Sequence, residues 1–427
     1  MNIQLLMTGN ELMRGDTVDS NSAMIAQHLD RLGLNISRKI TIGDDLELLV
    51  SQLRELAATG DLLLVNGGLG PTIDDLTAQA VAMLTGNPLT EHPEAMSHLK
   101  GWCAGRGVAL NASNLKQAQL PAGASVIPNP RGSAVGISVR HDQCDIFCTP
   151  GVPVELRGML KQTIIPTIAK RLDPGQTRLI QRFHTFGIGE SGLQQWITDE
   201  LPEWPPEVEL GFRAGAPTLE VKVLSPQSAA KEHQVFVDRL GELISDYIVA
   251  RNEGSLPGTL IGILGEKSMK LTTAESCTGG LIASMLTGQA GASEVFEAGF
   301  VTYDNDMKER MLGVSGEDLE NYGAVSETVV RQMALGALKV SGADCAVAVS
   351  GIAGPGGGTP DKPVGTVWLA WGSAGDMRSV CLHYPYGRRM FQTMVAGAAL
   401  DLVRRFLCGI DATPRYFRER RMPGTSQ

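Results

Sequence analysis

The segment SCTGG, residues 276–280, places three nucleophilic side chains directly before two glycines. It follows the apolar run KLTTA, so it lies where a strand passes into a helix. Ser276 is then either a helix N-cap, the commonest role of a serine at such a turn, or a catalytic nucleophile. Gly279 and Gly280 favour the catalytic role. Glycine is a poor helix former, so a pair of glycines at a helix start suggests that the backbone comes close to a ligand. The N–H groups of Thr278, Gly279 and Gly280 at a helix start could bind a phosphate or an oxyanion.

A serine nucleophile needs a base, and the segment GFVTYDNDMK offers one. His383 is the only histidine after residue 254, so a Ser-His-Asp triad is disfavoured. Lys308 is either a surface lysine or a base, since a helix start and burial both favour its neutral form. Tyr303, at the end of the preceding strand, either packs in the core or hydrogen-bonds one of the partners. Cys277 is the rival nucleophile, but no histidine lies near it in sequence to form a thiolate.

A glycine-rich loop lies between the apolar runs CAVAVSG and GTVWLAW. It carries prolines and several polar side chains, and it cannot be helical. A plain connection would be shorter, whereas free backbone N–H groups and a lysine suit a phosphate. The spacing is not that of a P-loop, which disfavours an ATPase. The candidate phosphate-binding residues are Gly351, Gly354, Thr359 and Lys362.

Near the N-terminus, TGNELMRGDTVDSNS and NGGLGPTIDDLTAQA both follow apolar strands and combine glycine with carboxylates. Loops after neighbouring parallel strands meet at one sheet edge. Clustered carboxylates there would favour Mg²⁺ with a pyrophosphate. The alternative is that Asp75 caps a helix and Asp16 closes a turn. The candidate metal ligands are Glu11, Asp74 and Asp75.

Alternating apolar runs and amphipathic segments define the elements that must position these residues. Residues 1–170 alternate strand and helix, which predicts a doubly wound α/β domain. Residues 171–254 predict a small α+β module with a hairpin, and RNEGSLPG forms a joint. The strand and helix alternation then returns, so residues 255–412 are predicted to be a second α/β domain. Residues 413–427 are predicted to be a basic, solvated tail.

Composition limits the class of protein. A net charge of −9 over 427 residues disfavours a nucleic-acid-binding protein. The seven cysteines include no CxxC pair, so neither a disulfide framework nor a zinc site is expected. The chain shows neither a signal peptide nor an apolar segment of membrane-spanning length. We therefore expect a cytoplasmic protein.

The C-terminal motifs AESCTGGLIASMLT, GFVTYDNDMK, YGAVSE and SGIAGPGGGTPDKPVGTV resemble the C-terminal domain of the CinA family. That domain is similar to nicotinamide mononucleotide deamidases, which release ammonia to give nicotinic acid mononucleotide. The resemblance implies that Ser276 is the nucleophile, Lys308 its base and Tyr303 an assisting hydroxyl, without a cofactor. The family often carries Gly-Asp-Arg where this chain has Gly387-Arg388-Arg389, so Arg389 is the implied phosphate ligand.

The N-terminal motifs, with TPGVPVEL and GIGES, resemble the molybdopterin-binding-like domain of full-length CinA proteins. In that family the domain is associated with ADP-ribose pyrophosphatase activity that uses a divalent cation. Leu69 departs from the GGTG loop of molybdenum-cofactor proteins, which argues against a pterin role, and Asn10 replaces a common aspartate. The resemblance also implies a homodimer.

Two functional hypotheses follow. The first is an enzyme that deamidates nicotinamide mononucleotide and also hydrolyses ADP-ribose. The second is a non-catalytic nucleotide-binding or scaffold protein linked to competence or DNA damage, in which Ser276 is a cap and Lys308 is solvated.

Overall fold

The computed structural model describes residues 1–172 and 178–421. The chain divides into two compact units, Met1–Arg178 with Pro226–Ser228, and Leu179–Ser225 with the residues from Ala229 onward. The residues 422–427 of the predicted tail lie outside the described part of the chain. The module predicted over residues 171–254 contributes mainly to the second unit.

The first unit contains a mixed sheet in the order β2-β1-β3-β8-β7-β6. The four strands β2, β1, β3 and β8 run parallel, and β7 and β6 continue antiparallel. A short antiparallel pair, β4 with β5, lies outside this sheet. The strands are β1 Ile3–Thr8, β2 Ile36–Ile42, β3 Leu62–Asn66, β4 Leu89–Glu91, β5 Gln119–Pro121, β6 Ser125–Ile127, β7 Gly136–His141 and β8 Cys144–Thr149.

Helices connect these strands and cover the sheet. The side chain of Asp19 accepts a hydrogen bond from the Ser22 N–H and caps the second helix. The helices are α1 Asn10–Arg14, α2 Ser20–Asp30, α3 Leu46–Thr59, α4 Thr77–Thr85, α5 Pro93–Ala104, α6 Ala112–Leu115, α7 Pro153–Met159 and α8 Ile165–Ala169, the last two joined by a π-helical turn, Leu160–Ile164.

Alternate residues of the central strands enter two different cores. Leu6 of β1 and Val65 of β3 belong to one core, while Leu5 and Leu64 belong to the other. Successive side chains of a strand point to opposite faces of its sheet, so both faces are covered by helices. This burial on both faces explains the continuous apolar runs and confirms the doubly wound α/β domain.

The module that follows the first α/β domain in sequence is a four-stranded sheet, in the order β10-β11-β9-β12, packed with two helices. The predicted hairpin is present as β10 and β11. A fourth strand, which the sequence did not indicate, pairs antiparallel with β9. The elements are β9 Arg178–Thr185, α9 Glu190–Glu200, β10 Glu209–Ala214, β11 Leu219–Pro226, α10 Ala230–Leu243 and β12 Ile248–Arg251.

The C-terminal domain is built on a sheet in the order β14-β13-β15-β16-β17. The first three strands are parallel and the last two antiparallel. The strands are β13 Leu271–Glu275, β14 Phe296–Val301, β15 Cys345–Gly351, β16 Thr366–Gly372 and β17 Met377–His383. The helices are α11 Leu256–Glu266, α12 Leu281–Thr287, α13 Ala292–Val295, α14 Asn305–Leu312, α15 Gly316–Tyr322, α16 Glu327–Ser341, α17 Arg388–Cys408 and α18 Arg415–Glu419.

A buried ionic cluster joins α17 to the module and to α18. Asp401 is fully buried and accepts hydrogen bonds from Arg404 and Arg405. Both guanidinium groups also donate to the backbone carbonyl of Asp246, at 3.0 and 2.8 Å. The hydroxyl of Tyr416 donates to Asp401 at 3.1 Å. Two cations beside one carboxylate are thus satisfied by a carbonyl from the neighbouring module.

The expectation of a solvated tail is wrong at Tyr416, which is buried, whereas Arg418 and Glu419 are exposed as predicted. Tyr416 of α18 is buried, and its ring meets that of Phe186 edge to face at 5.4 Å. Arg420 donates to the hydroxyl of Tyr386. The prediction failed because the arginines of this basic run flank two aromatic residues, Tyr416 and Phe417, which supply the packing.

Candidate active site

The parallel strands β14, β13 and β15 end at one edge of the C-terminal sheet, and the candidate catalytic residues follow directly. The Ser276 N–H donates to the Val349 carbonyl of β15 at 3.0 Å, and the Thr302 N–H donates to the Glu275 carbonyl of β13 at 3.0 Å. Ser276 and Tyr303 therefore leave adjacent strand ends. This carboxyl edge is where α/β sheets bind ligands.

Ser276 does not cap the helix that follows it. Helix α12 begins at Leu281, its N-cap is Gly280, and no side chain caps it from that position. Ser276 is 9% exposed. In the described part of the chain its Oγ makes no hydrogen bond. The backbone of Ser276 is fixed by its hydrogen bond to Val349, whereas its hydroxyl has no protein partner in the described residues and is available to a substrate.

The carboxylate of Glu275 caps α12 instead. Glu275 is fully buried and accepts from the Gly280, Ile282 and Ala283 N–H groups at 3.0, 3.0 and 2.8 Å. The Thr278 hydroxyl donates to it at 2.6 Å. Charge-assisted bonds of this kind are strong, and they hold the turn after Ser276 in one conformation.

This capping corrects the predicted anion site. The Gly280 N–H is taken by Glu275, and the Gly279 N–H donates to the Ser276 carbonyl at 3.1 Å. Neither amide is free for an oxyanion. Over residues 1–172 and 178–421, the N–H groups of Cys277 and Thr278 donate to no oxygen of another residue. The amides beside Ser276 are therefore the candidate oxyanion donors.

Lys308, in the first turns of α14, is buried rather than solvated. Its side chain is only 1% exposed. Its Nζ donates to the Tyr303 carbonyl at 3.1 Å, with the Asp304 carbonyl and Asn305 Oδ1 each at 3.5 Å. Burial lowers the pKa of the Lys308 ammonium, against the opposing effects of Asp304 and Cys277. The lower pKa favours the neutral amine, which is the form that a general base requires.

Lys308 and Ser276 do not hydrogen-bond to each other within the described residues. The charge of Lys308 lowers the pKa of the Cys277 thiol, although burial outweighs this effect, and Cys277 is the residue next to Ser276. Hydrogen bonds between catalytic groups are often long in a substrate-free site and tighten on binding.

Cys277 is not arranged as a nucleophile. Its side chain is buried, and burial raises the pKa of its thiol to about 12. The thiolate is the reactive form, and a buried thiol of this kind is inert. Its carbonyl accepts a hydrogen bond from the Gln392 side chain at 2.9 Å, which ties the turn to α17.

Tyr303 follows the end of β14 and is 58% exposed, so its default role as a core residue is excluded. Its phenol oxygen accepts a hydrogen bond from Arg388 Nη2 at 2.7 Å. Arg388 Nη1 donates to the Gly354 carbonyl at 2.8 Å. Arg388 therefore joins the glycine-rich loop to the strand end that carries Tyr303.

Of the other predicted phosphate-binding residues, some are held within the loop and its strands, and one is exposed. Lys362 donates to the Tyr322 carbonyl at 2.7 Å, and Thr359 is hydrogen-bonded to the backbone of Lys362, so both stabilise the loop. Gly351 ends β15, where an added Cβ would lie 2.7 Å from the Thr366 carbonyl oxygen. Arg389 is exposed at the start of α17, and its side chain makes no ion pair within the described residues.

The sequence reasoning did not find Glu275, Arg388 as a site residue, or Gln392. A carboxylate at the end of an otherwise buried apolar strand, followed by a glycine pair, is the signal that could have revealed Glu275. Arg388 and Gln392 lie four residues apart and so share one face of α17. That spacing is informative only once the helix itself is recognised.

The first unit has a cavity of about 520 Å³, lined by the glycine loop 67–70 and by Glu11, Asp74 and Asp75. The Thr72 N–H donates to Asp75 at 2.8 Å, and the Thr72 hydroxyl, with one hydrogen to donate, lies within hydrogen-bond distance of both aspartates. The hydrogen bond from Thr72 is also the main cause of a lowered pKa of Asp74. Asp75 thus closes a turn and does not cap α4, whose N-cap is Leu76 without a side-chain cap.

The donor set does not form a complete metal centre. Within the described residues, no group of three or more histidine, cysteine, aspartate or glutamate side chains is placed to hold a metal ion. The magnesium site at Glu11, Asp74 and Asp75 stays a prediction. Separately, none of the described helices is both long and apolar enough to cross a bilayer.

Two family models match this chain, one for each α/β domain. The model described as a probable molybdopterin binding domain matches residues 4–170, and the model of the CinA C-terminal domain matches residues 254–407. The protein is thus a fusion of a molybdopterin-binding-type domain with a CinA C-terminal domain.

Relatives of similar length extend the match to nearly the whole chain. A CinA-like protein from Colwellia psychrerythraea is 51% identical over 422 residues, which is 98% of both chains. Another from Citrifermentans bemidjiense is 39% identical over 97% of this chain and 99% of the relative. A crystal structure of the competence/damage inducible protein CihA from Agrobacterium tumefaciens is 45% identical over 35% of this chain and 92% of that chain, with a TM-score of 0.35. The chain belongs to the CinA family.

Proposed function

We propose that the C-terminal domain hydrolyses the carboxamide of nicotinamide mononucleotide to give nicotinic acid mononucleotide and ammonia. The observation that carries this proposal is Lys308, an amine that is 1% exposed and whose pKa is lowered by burial. It lies at the same sheet edge as Ser276, whose Oγ has no protein partner in the described residues. A buried amine and an unpartnered hydroxyl suit a Ser-Lys hydrolase.

In the first half of the reaction, Ser276 Oγ attacks the carboxamide carbon while its proton passes to the neutral amine of Lys308. The N–H groups of Cys277 and Thr278 would stabilise the oxyanion that forms. The C–N bond then breaks, its electron pair goes to nitrogen, and ammonia leaves with one added proton, which balances the proton that Ser276 gave up. In the second half, water attacks the ester on Ser276, its proton returns to Oγ, and the carboxylic acid is released.

The start of α17 is the proposed phosphate site. Its N-cap is Gly387, which has no side chain to occupy the free N–H groups of the first turn. Arg389 is exposed in that turn. A helix N-terminus together with an arginine binds phosphate through charge and directed N–H donors.

The competing hypothesis is a non-catalytic nucleotide-binding scaffold. It requires Ser276 to be a helix cap and Lys308 to be solvated, whereas Glu275 is the cap and Lys308 is buried. The Glu275 cap and the burial of Lys308 both favour the enzyme hypothesis. The cytoplasmic location and the homodimer stay predictions.

The test is ammonia release from nicotinamide mononucleotide by the full chain and by Ser276→Ala. We expect the variant to lose at least about 10³-fold in kcat. Ser284→Ala, an exposed serine on the next helix, is the matched control and should retain the wild-type rate. Equal rates for wild type and Ser276→Ala would end the serine assignment. No release by wild type would end the proposed reaction.

The cavity of the N-terminal domain supports a second proposed function, hydrolysis of ADP-ribose with a divalent cation. Its carboxylates and glycine loop are suited to a pyrophosphate with Mg²⁺, which commonly uses only one or two protein carboxylates. The test is AMP release from ADP-ribose with Mg²⁺, by wild type and by Asp75→Asn. Activity that is absent, or unchanged by the substitution, would contradict this assignment.

A further inference from the structure

Arg388 makes two hydrogen bonds that connect separate loops of the site. Nη1 donates to the Gly354 carbonyl at 2.8 Å and Nη2 donates to the Tyr303 hydroxyl at 2.7 Å. Tyr303 is 58% exposed, so packing does not fix its ring. No other side-chain hydrogen bond to its phenol is present in the described residues. The guanidinium therefore restrains this side chain.

The chemistry of the pair also fixes the direction of the phenolic proton. A guanidinium has five N–H donors and no acceptor. The oxygen of Tyr303 must accept the hydrogen bond from Arg388, and its own hydrogen must point to a different acceptor. A neutral side chain such as glutamine or asparagine would leave that direction open.

The phenol and the proposed base are attached to the same short segment. Lys308 Nζ donates to the backbone carbonyl of Tyr303 at 3.1 Å, and Tyr303 directly follows the strand end that pairs with Glu275. A proton accepted by Lys308 thus lies close to the segment that carries the phenol. The second contact of Arg388, with Gly354, holds its guanidinium beside that segment.

We propose that Arg388 is a positioning residue, which orients the Tyr303 hydroxyl so that Tyr303 donates its proton to the departing nitrogen. This inference rests on the proposed amide hydrolysis. As the C–N bond breaks, nitrogen takes the electron pair and the proton of Tyr303. The phenolate, stabilised by the adjacent guanidinium, then takes the proton that Lys308 received from Ser276. One proton therefore moves from serine to ammonia, and the protonation states of Lys308 and Tyr303 are restored.

The kinetic test is a double-mutant cycle in the full chain with Arg388→Ala, Tyr303→Phe and the double variant. General-acid catalysis contributes about 10²- to 10⁴-fold, so each single variant should lose about 10²-fold in kcat with KM within threefold. In the Tyr303→Phe background, Arg388→Ala should cause little further loss of kcat, because the hydroxyl that Arg388 orients is already absent. Arg388→Lys, which keeps a cationic donor, should recover part of the rate.

Two kinetic outcomes would overturn the proposal. Multiplying losses in the double variant would mean that Arg388 acts independently of Tyr303. A raised KM with unchanged kcat would mean that it binds the substrate. Arg310→Ala, an exposed arginine on α14, is the control for a nearby loss of charge and should match wild type.

A measurement without substrate separates this inference from the proposed reaction. 3-Fluorotyrosine at position 303 reports the environment of that ring by ¹⁹F NMR. We expect Arg388→Ala to change its shift and Arg310→Ala to leave it unchanged. An unchanged shift in Arg388→Ala would overturn the positioning role even if the amide is hydrolysed. A changed shift without ammonia release from wild type would retain the contact and reject the reaction, and with it the role of Tyr303 as an acid.

Discussion

The ammonium of Lys308 donates a hydrogen bond of 3.1 Å to the backbone carbonyl of Tyr303. A lysine of the first helical turns thus folds back toward the preceding strand end instead of extending into solvent. The contact keeps the amine at the sheet edge, and the loss of hydration lowers its pKa. The reactivity of the site should follow from this burial.

The proposed base gives a pH dependence with a definite sign. Lys308 acts when neutral, and its pKa lies below the ordinary value of 10.5. The kcat for ammonia release should therefore rise with pH and reach half of its plateau below pH 10.5. Arg stays protonated, so Lys308→Arg should lose at least about 10²-fold. A rate that is independent of pH, or retained in the arginine variant, would contradict the assignment.

Cys277 should be dispensable for catalysis. Its thiol is buried and its pKa is raised to about 12, so we expect Cys277→Ala to retain kcat within about threefold, at a cost of about 1 kcal/mol in stability. Alkylation with iodoacetamide followed by peptide mapping provides an independent measurement. Cys408 is exposed and should react first. Rapid labelling of Cys277 together with loss of activity would instead make it the nucleophile.

Glu275 should stabilise the turn that carries Ser276. Glu275→Gln keeps the volume, but its amide NH₂ faces donors that now lack an acceptor. Leaving buried donors unsatisfied costs roughly 1–3 kcal/mol, so the melting temperature should fall. Glu266→Gln, on the exposed surface of α11, is the matched control and should not change it. Equal melting temperatures would show that the cap contributes little.

The close approach of α16 to the end of α14 depends on a missing side chain. A Cβ on Gly336 would lie 1.9 Å from the Leu312 carbonyl oxygen. Gly336→Ala should therefore destabilise the protein by about 1–3 kcal/mol, the usual cost of overpacking. Gly262→Ala, on α11, meets nothing within 4 Å and should be neutral or stabilising by up to about 1 kcal/mol. Denaturant unfolding of both variants compares the two sites, and equal effects would contradict the steric explanation.

The sequence predicted the strands that lead into the glycine loops and missed several other elements, although α15 and α17 also end at a glycine. Strands β1, β3, β13 and β15 are apolar runs that stop at the loops of interest, and the structure confirms them. Strands β12 and β17 and helices α15 and α17 were not predicted. Helix α17 is buried along most of its length, so it lacks the polar face that makes a helix visible in sequence.

A site residue could be predicted only where the sequence also revealed the strand or helix that carries it. Ser276 and Lys308 follow recognised strands, and each could be assigned chemistry from its own neighbours. The contact of Arg388 with Tyr303 joins residues 85 positions apart, and no local pattern encodes it. The prediction that the Gly280 amide binds an anion was wrong, because sequence does not show that Glu275 reaches it first.

The cluster around Asp401 makes the C-terminal domain depend on a carbonyl of the preceding module. Arg404 and Arg405 share one carboxylate and rely on the carbonyl of Asp246 for further hydrogen bonds. A shortened chain that starts at residue 254, where the family match begins, would lack that carbonyl, and each guanidinium would lose one of its hydrogen-bond acceptors while keeping Asp401. We therefore expect a piece that starts upstream of Asp246 to be more stable than one that starts at residue 254.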